Sequence, residues 1–259
     1  MEQIQPIFIE SIDSTNRALK QLAREGAPEG TLLIADRQEG GYGRLSRPFF
    51  SPERTGLYMS LLLRPRLSAE DASLITHIAA LAVAEAVRET AGRDARIKWV
   101  NDIYIDGKKA SGILVESAFD ADGALDSVVL GIGVNLFSPE GGFPAHIKDT
   151  ATAVFENSPD ADFFSLRKAL YESILARLSP LYDALPDKAF LADYRRLSLL
   201  SGKEVLVFDT LTDREKSGKG TPARALDIVP DGGLLVEYET GEREVLKGGE
   251  VSLRVLGAK

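Results

Sequence analysis

Lys98 to Glu116 reads KWVNDIYIDGKKASGILVE. Asp106-Gly107 divides it into two runs rich in valine, isoleucine and tyrosine, and an Asp-Gly pair supplies the positive φ angles of a tight hairpin turn. With a two-residue loop, Ile105 pairs with Lys108, Tyr104 with Lys109 and Asp102 with Ser111. Alternation along the strands then gathers Asp102, Tyr104, Lys109 and Ser111 on one polar face. Gly112 withdraws a side chain from the second strand, where another group can approach the backbone. A solvated surface hairpin shows the same local pattern, so the rest of the chain decides between the two.

The chain has 259 residues, 44% of them hydrophobic, enough for one large domain or one large and one small. Its net charge of -8 and pI near 5.0 argue against non-specific attraction to nucleic acid. Cysteine is absent, which excludes disulfides, thiolate zinc sites and a cysteine nucleophile, and suits a reducing compartment. The N-terminus lacks the basic start and apolar run of a signal peptide. No apolar stretch approaches the ~20 residues of a membrane span, so no membrane association and a cytoplasmic location are expected.

Ile7 to Glu10 reads as a strand, and Asp13-Ser14-Thr15-Asn16 leads into a helix to about Glu25. These residues either cap the helix or present its free amides to a polar ligand, and both readings stay open. Thr31 to Asp36 is a buried strand that delivers Gln38 and a loop with Gly40, Gly41 and Gly43 followed by Arg44 and Arg47. Loops longer than about 12 residues are usually functional or disordered, and this one suits an anion, though its spacing matches neither phosphate-loop signature. Leu57 to Leu63 is a strand, and Ala69 to Ala91 a single core helix capped by Ser68. His77 lies in that helix and is read as structural. Ser127 to Phe137 is a strand on which Gly131, Gly133 and Asn135 share a face, left bare for a ligand or for close packing. Ser138 to Ala151 is a second candidate lid. Helices follow at about Phe163 to Leu181 and Asp187 to Leu200. From Ser201 onward short strands with turn signals suggest a small β-barrel, giving a larger α+β domain over residues 1–200 and a barrel over 201–259.

The ordered series Asp13-Ser14-Thr15-Asn16, Gln38 with the glycine-arginine loop, Lys98 to Asp102, Lys109 to Glu116, Gly131 to Asn135 and Gly249 to Arg254 resembles the biotin–protein ligases. That resemblance implies a mixed-sheet catalytic domain of the biotin/lipoate-ligase type with a C-terminal barrel of the Src-homology-three type. It implies activation of biotin with ATP and magnesium to biotinyl-adenylate, followed by transfer to a lysine of a biotin carboxyl carrier protein domain. On the same footing Ser14, Thr15, Asn16 and Gln38 hold the biotin ring system, with Gly131 and Gly133 beneath it. Lys109 contacts carboxylate and phosphate; Arg44 and Arg47 close the loop; Arg254 reaches ATP from the barrel. Asn101 and Asp102 position Lys109 or a magnesium-bound phosphate, with Asp102 a candidate metal ligand and base. Gly41, Tyr42, Gly43, Phe49, Trp99, Gly112 and Asn135 complete the expected site. Where the family pattern is GRGRxGRxW, Tyr42, Ser46 and Phe49 replace Arg, Gly and Trp, and Tyr42 is expected to lay its ring over biotin. Too little chain precedes Ile7 for a winged helix-turn-helix, so no specific DNA binding is expected. A homodimer is one candidate oligomeric state. A lipoate or octanoate ligase and a non-catalytic biotin-binding regulator are the rival readings.

Overall fold

The computed structural model describes residues 4–155, 163–208, 220–247 and 252–255, the last stretch by its backbone. Strand β1 (Pro6–Ile12), helix α1 (Thr15–Arg24), β2 (Leu32–Gln38) and β3 (Gly56–Leu63) come first. Helices α2 (Ala69–Ser73) and α3 (Ile75–Ala91) precede β4 (Arg96–Lys98), β5 (Asp102–Ile105), β6 (Lys108–Phe119) and β7 (Leu125–Asn135). These strands form a seven-stranded mixed sheet in the order β1-β2-β3-β7-β6-β5-β4. Its β1–β2 pair is parallel and the others are antiparallel. Helices α4 (Phe163–Asp183) and α5 (Leu191–Leu197) follow. Strands β8 (Glu204–Phe208), β9 (Thr221–Ile228), β10 (Leu234–Tyr238), β11 (Arg243–Leu246) and β12 (Ser252–Val255) then make a five-stranded antiparallel sheet of the Src-homology-three type. None of the described helices is long and apolar enough to cross a membrane.

Alternation divides the seven-stranded sheet into two unequal faces. Leu57, Met59, Leu61, Val128, Leu130, Ile132 and Val134 join α3 and α4 in the main core, which continues into β8, β9 and β10. The opposite face carries a smaller cluster of Leu19, Ala23, Leu33, Leu62 and Val129 beneath α1. Beyond that cluster lie glycines and polar side chains, so the sheet leaves an open bay there.

The structure corrects three sequence expectations and adds two strands. The Asp106-Gly107 turn forms with φ of 50° and 77°, and Tyr104 faces Lys109, but a bulge at Ala110 places Asp102 opposite Gly112 and Ile103 opposite Ser111. Ser111 is therefore fully buried rather than on the polar face. The bulge frees the Lys109 backbone to bond elsewhere: its N–H donates to Thr150 O at 2.8 Å and its C=O accepts from Thr152 N at 2.9 Å. The expected single helix over Ala69–Ala91 breaks at Leu74, which caps α2 and opens α3. The short β4 and the polar edge strand β11 carry too little apolar pattern to be read from sequence.

Candidate active site

Three rows of paired residues cross the bay. Asp102, Gly112, Gly133 and Tyr58 form one, Leu114, Gly131 and Ser60 the next, and Glu116, Val129 and Leu62 the third. The glycines are required by close approach. A Cβ on Gly131 would overlap the Asn16 carboxamide, and one on Gly133 would sit 2.5 Å from the Phe49 ring. One on Gly112 would come within 3.1 Å of Lys109 Nζ. The bare face foreseen from the Gly131–Gly133 spacing is thus filled by side chains folded over it from α1, the glycine-arginine loop and the hairpin.

The result is a cavity of about 360 Å³, within the usual size of small-molecule sites. Its polar side is built at the start of α1. Ser14 caps the helix, accepting from Arg17 N. Thr15 donates through both N and Oγ1 to Gln38 Oε1, at 2.9 and 3.0 Å, while Gln38 Nε2 donates to Ser51 Oγ at 3.1 Å. Ser60 Oγ lies 2.7 Å from Thr15 Oγ1 and 2.5 Å from Asn16 Oδ1. Capping and cavity lining are therefore one and the same in this segment.

Cationic groups define another side. Lys109 Nζ is 2.5 Å from Asp102 Oδ1. Arg44 Nη1 donates to Asn101 Oδ1 at 3.2 Å, and Asn101 is clamped across the sheet by two bonds with the Ile113 backbone, at 2.8 and 2.9 Å. Burial pulls the Arg44 guanidinium below its ordinary value, opposed by Asp102 and reinforced by Arg47. An anion entering here would repair that lost solvation. Arg47, Gly43 and Lys98 also line the cavity. The glycine-arginine loop is cross-tied by Gly43 N to Arg47 O at 2.8 Å and Phe49 N to Gly41 O at 2.9 Å. Its apex holds Leu45 and Ser46 at φ of 55° and 58°, a conformation that suits the glycine of the family pattern and costs other residues on the order of 1 kcal/mol.

Every expected site residue outside Gly41 and Arg254 lines this cavity. Gly41 stands behind it, where a Cβ would meet Ser51 Oγ at 2.7 Å and Phe49 O at 2.8 Å. The Arg254 side chain lies outside the described residues. The second lid contributes Ile147, Thr150 and Ala151, held by Lys109 and by Asn135 Nδ2, which donates to Thr152 O at 3.0 Å. Trp99 lines the cavity while its Nε1 donates to Gly232 O at 2.9 Å, in the β9–β10 turn. His77 Nε2 lies 2.9 Å from the same carbonyl, and since a carbonyl only accepts, the proton sits on Nε2. Burial pushes His77 down to about 4, against the raising effects of the Gly232 and Ser73 backbone and of Asp231. His77 is structural, as its sequence context indicated.

Glu116 is a hub that no site assignment from sequence included. It accepts from Lys20 Nζ at 2.6 Å, Asn16 Nδ2 at 2.9 Å and the Tyr42 hydroxyl at 2.8 Å. Burial raises its carboxyl, but these donors outweigh that and hold it below the ordinary value. Tyr42 thus points its hydroxyl at Glu116, and its ring lies under Arg17 Cζ at 4.6 Å. The spacing of 74 and 100 residues between partners hides this cluster from local pattern.

The sequence model of the biotin/lipoate A/B protein ligase family matches residues 8–135, just under half of the chain. The similarity to individual proteins runs to biotin–protein ligases. A biotin–[acetyl-CoA-carboxylase] ligase of Mycobacterium tuberculosis is 29% identical over 246 residues, 92% of this chain and 85% of the relative. The bifunctional ligase/repressor BirA of Bacillus subtilis is 43% identical over 148 residues, 57% of this chain. The match spans 45% of that protein's length, under half of the bifunctional relative. Among solved structures, the Aquifex aeolicus biotin protein ligase in complex with biotin and ATP superposes with a TM-score of 0.74, at 28% identity, over 97% of this chain and 99% of that one.

Proposed function

We propose that the chain joins biotin to AMP and passes biotin to a lysine of a biotin carboxyl carrier domain. One observation carries this reading: a single cavity combines neutral hydrogen-bonding groups around Asn16 and Gly131, bare backbone at Gly133 beside Phe49, and the cations Lys109 and Arg44. Biotin has the matching parts, a ureido ring, an apolar body and a carboxylate. The named relatives and the Aquifex complex with biotin and ATP support it.

In the first step a biotin carboxylate oxygen bonds to the α-phosphorus of ATP as the bond to pyrophosphate breaks. Lys109 and Arg44, fixed by Asp102 and Asn101, face the charge that grows on the phosphoryl oxygens, where preorganised donors act most strongly. In the second step the carrier amine bonds to the acyl carbon, AMP leaves, and the amine's proton passes to a base, for which Asp102 is the candidate. The loop from Gly41 to Phe49 keeps water from the acyl-adenylate. Among the described residues no cluster of His, Asp or Glu forms a metal cage, and Asp102 is the one carboxylate of the cavity lining. That donor set fits a magnesium ion carried in on the triphosphate, with waters completing its shell. Bound so, it would offset phosphate charge. Arg254 is proposed to reach ATP from a barrel domain assigned to residues 201–259, with residues 1–200 assigned to the catalytic domain. A cytoplasmic setting suits the carrier domains.

Incubation with a biotin carboxyl carrier domain, ATP and labelled biotin tests the reading. Label on the carrier lysine, absent when lipoate replaces biotin, is the expected result. Adenylation of lipoate alone, or biotin binding without pyrophosphate release, would overturn it.

A further inference from the structure

The Gly41–Phe49 loop lies across the cavity although its apex carries Leu45 and Ser46 in the left-handed region, so something must hold it there. Its own cross-ties, Gly43 to Arg47 and Phe49 to Gly41, tie the loop to itself. The Tyr42 side chain reaches across to the body of the protein. Its hydroxyl meets Glu116 at 2.8 Å on β6, and its ring is covered by Arg17, 4.6 Å away, and faced by Lys20 Nζ at 5.9 Å, both on α1. Glu116 is already compensated by Lys20 at 2.6 Å, so a neutral hydroxyl donor completes the cluster without adding charge. A cation at position 42 would add a third positive charge to two ion pairs that are already complete, Arg17 with Asp13 and Lys20 with Glu116. The same Glu116 holds Asn16, whose carboxamide covers Gly131 on the cavity floor.

We propose that Tyr42 is a positioning residue whose hydroxyl, bonded to Glu116, latches the glycine-arginine loop across the cavity before any ligand arrives. Its second consequence rests on the proposed function: the latch sets how long the acyl-adenylate is retained. Tyrosine here substitutes for the family's arginine by a different means, a neutral bond from lid to body in place of a charge in the lid. Adding an arginine to this chain weakens closure, because the charges around position 42 are already matched, Arg17 by Asp13 and Lys20 by Glu116, and a further cation there would have no carboxylate of its own.

Hydrogen exchange of the Gly43 and Phe49 amides in the ligand-free protein tests the latch independently of any activity. Tyr42→Phe and Glu116→Gln each accelerate exchange about tenfold, the scale of one lost bond to a carboxylate, and the double variant is no faster than either single one. Tyr42→Arg also accelerates it. Wild-type exchange in both single variants, or strictly additive effects, would overturn the latch, and slower exchange in Tyr42→Arg would overturn the charge argument. Retention is read from stray biotinylation of serum albumin lysines with biotin and ATP, which rises about tenfold in Tyr42→Phe. An unchanged level alongside faster exchange would refute the retention role alone. A wild type that makes no adenylate would refute the proposed function and leave the exchange result standing.

Discussion

Replacing Lys109 by alanine removes the cation best fixed in the cavity. Its ammonium is paired with Asp102 at 2.5 Å, it passes over Gly112 where no Cβ obstructs it, and its backbone is clamped at 2.8 and 2.9 Å to residues 150 and 152. A donor held so firmly needs little reorganisation when charge develops on the phosphoryl group. Loss of one such donor costs about 3 kcal/mol in the transition state, or ~10²-fold in rate. The Lys109 side chain is 35% exposed, so its ion pair contributes at most about 1 kcal/mol to stability. Biotin-dependent ATP–pyrophosphate exchange and thermal unfolding, measured on one preparation, should therefore separate: exchange falls at least a hundredfold and the melting temperature shifts by only a few degrees. Gly112→Ala, whose Cβ would press on Nζ from 3.1 Å, should give an intermediate loss. Exchange within threefold of wild type in Lys109→Ala, or a loss that tracks unfolding, would refute the assignment of Lys109 to charge stabilisation.

Three further outcomes follow from the geometry. His77 is held neutral down to about pH 4 in the fold but binds a proton near 6.5 when unfolded, so its contribution is complete above 6.5 and is lost as pH falls towards 4. The loss amounts to roughly 3 kcal/mol, and urea midpoints at pH 7 and 4.5 should show His77→Gln flattening the wild-type slope; an unchanged slope contradicts this. Gly131→Ala displaces the Asn16 carboxamide from its bonds to Ser60 and Glu116, and the Kd for biotin by calorimetry should rise at least tenfold, whereas wild-type affinity would show the face is not part of the binding floor. Arg167→Met strands Asp36 without its buried partner, at a cost of about 3 kcal/mol in urea unfolding; a loss below about 1 kcal/mol would mean that Asp36 is rehydrated.

The sequence carried the turn at Asp106-Gly107 and the bare face of Gly131 and Gly133 because both are set by local backbone chemistry. The loop and its arginines were legible for the same reason. What escaped was set by distant partners. The bulge at Ala110 exists because the Lys109 backbone bonds to residues 150 and 152, and nothing within the hairpin announces them. The break at Leu74 has no glycine or proline to mark it. Glu116 closed the quoted motif without a role, since its three donors sit on α1 and in the lid. The Tyr42 ring was expected over the substrate, and the cations that turn it towards Glu116 come from a helix face with no spacing relation to the loop.

The carbonyl of Gly232, shared by Trp99 and His77, bears on the order in which a ribosome makes the chain. By the time residue 200 is joined, the whole described cavity lining, which ends at Ala151, has been synthesised. The indole of Trp99 still lacks its acceptor, and a buried donor without a partner costs about 1–3 kcal/mol. The cavity wall can therefore settle only after the β9–β10 turn has emerged, so a nascent chain should acquire ligand affinity late and abruptly, with the barrel rather than with the residues that line the cavity.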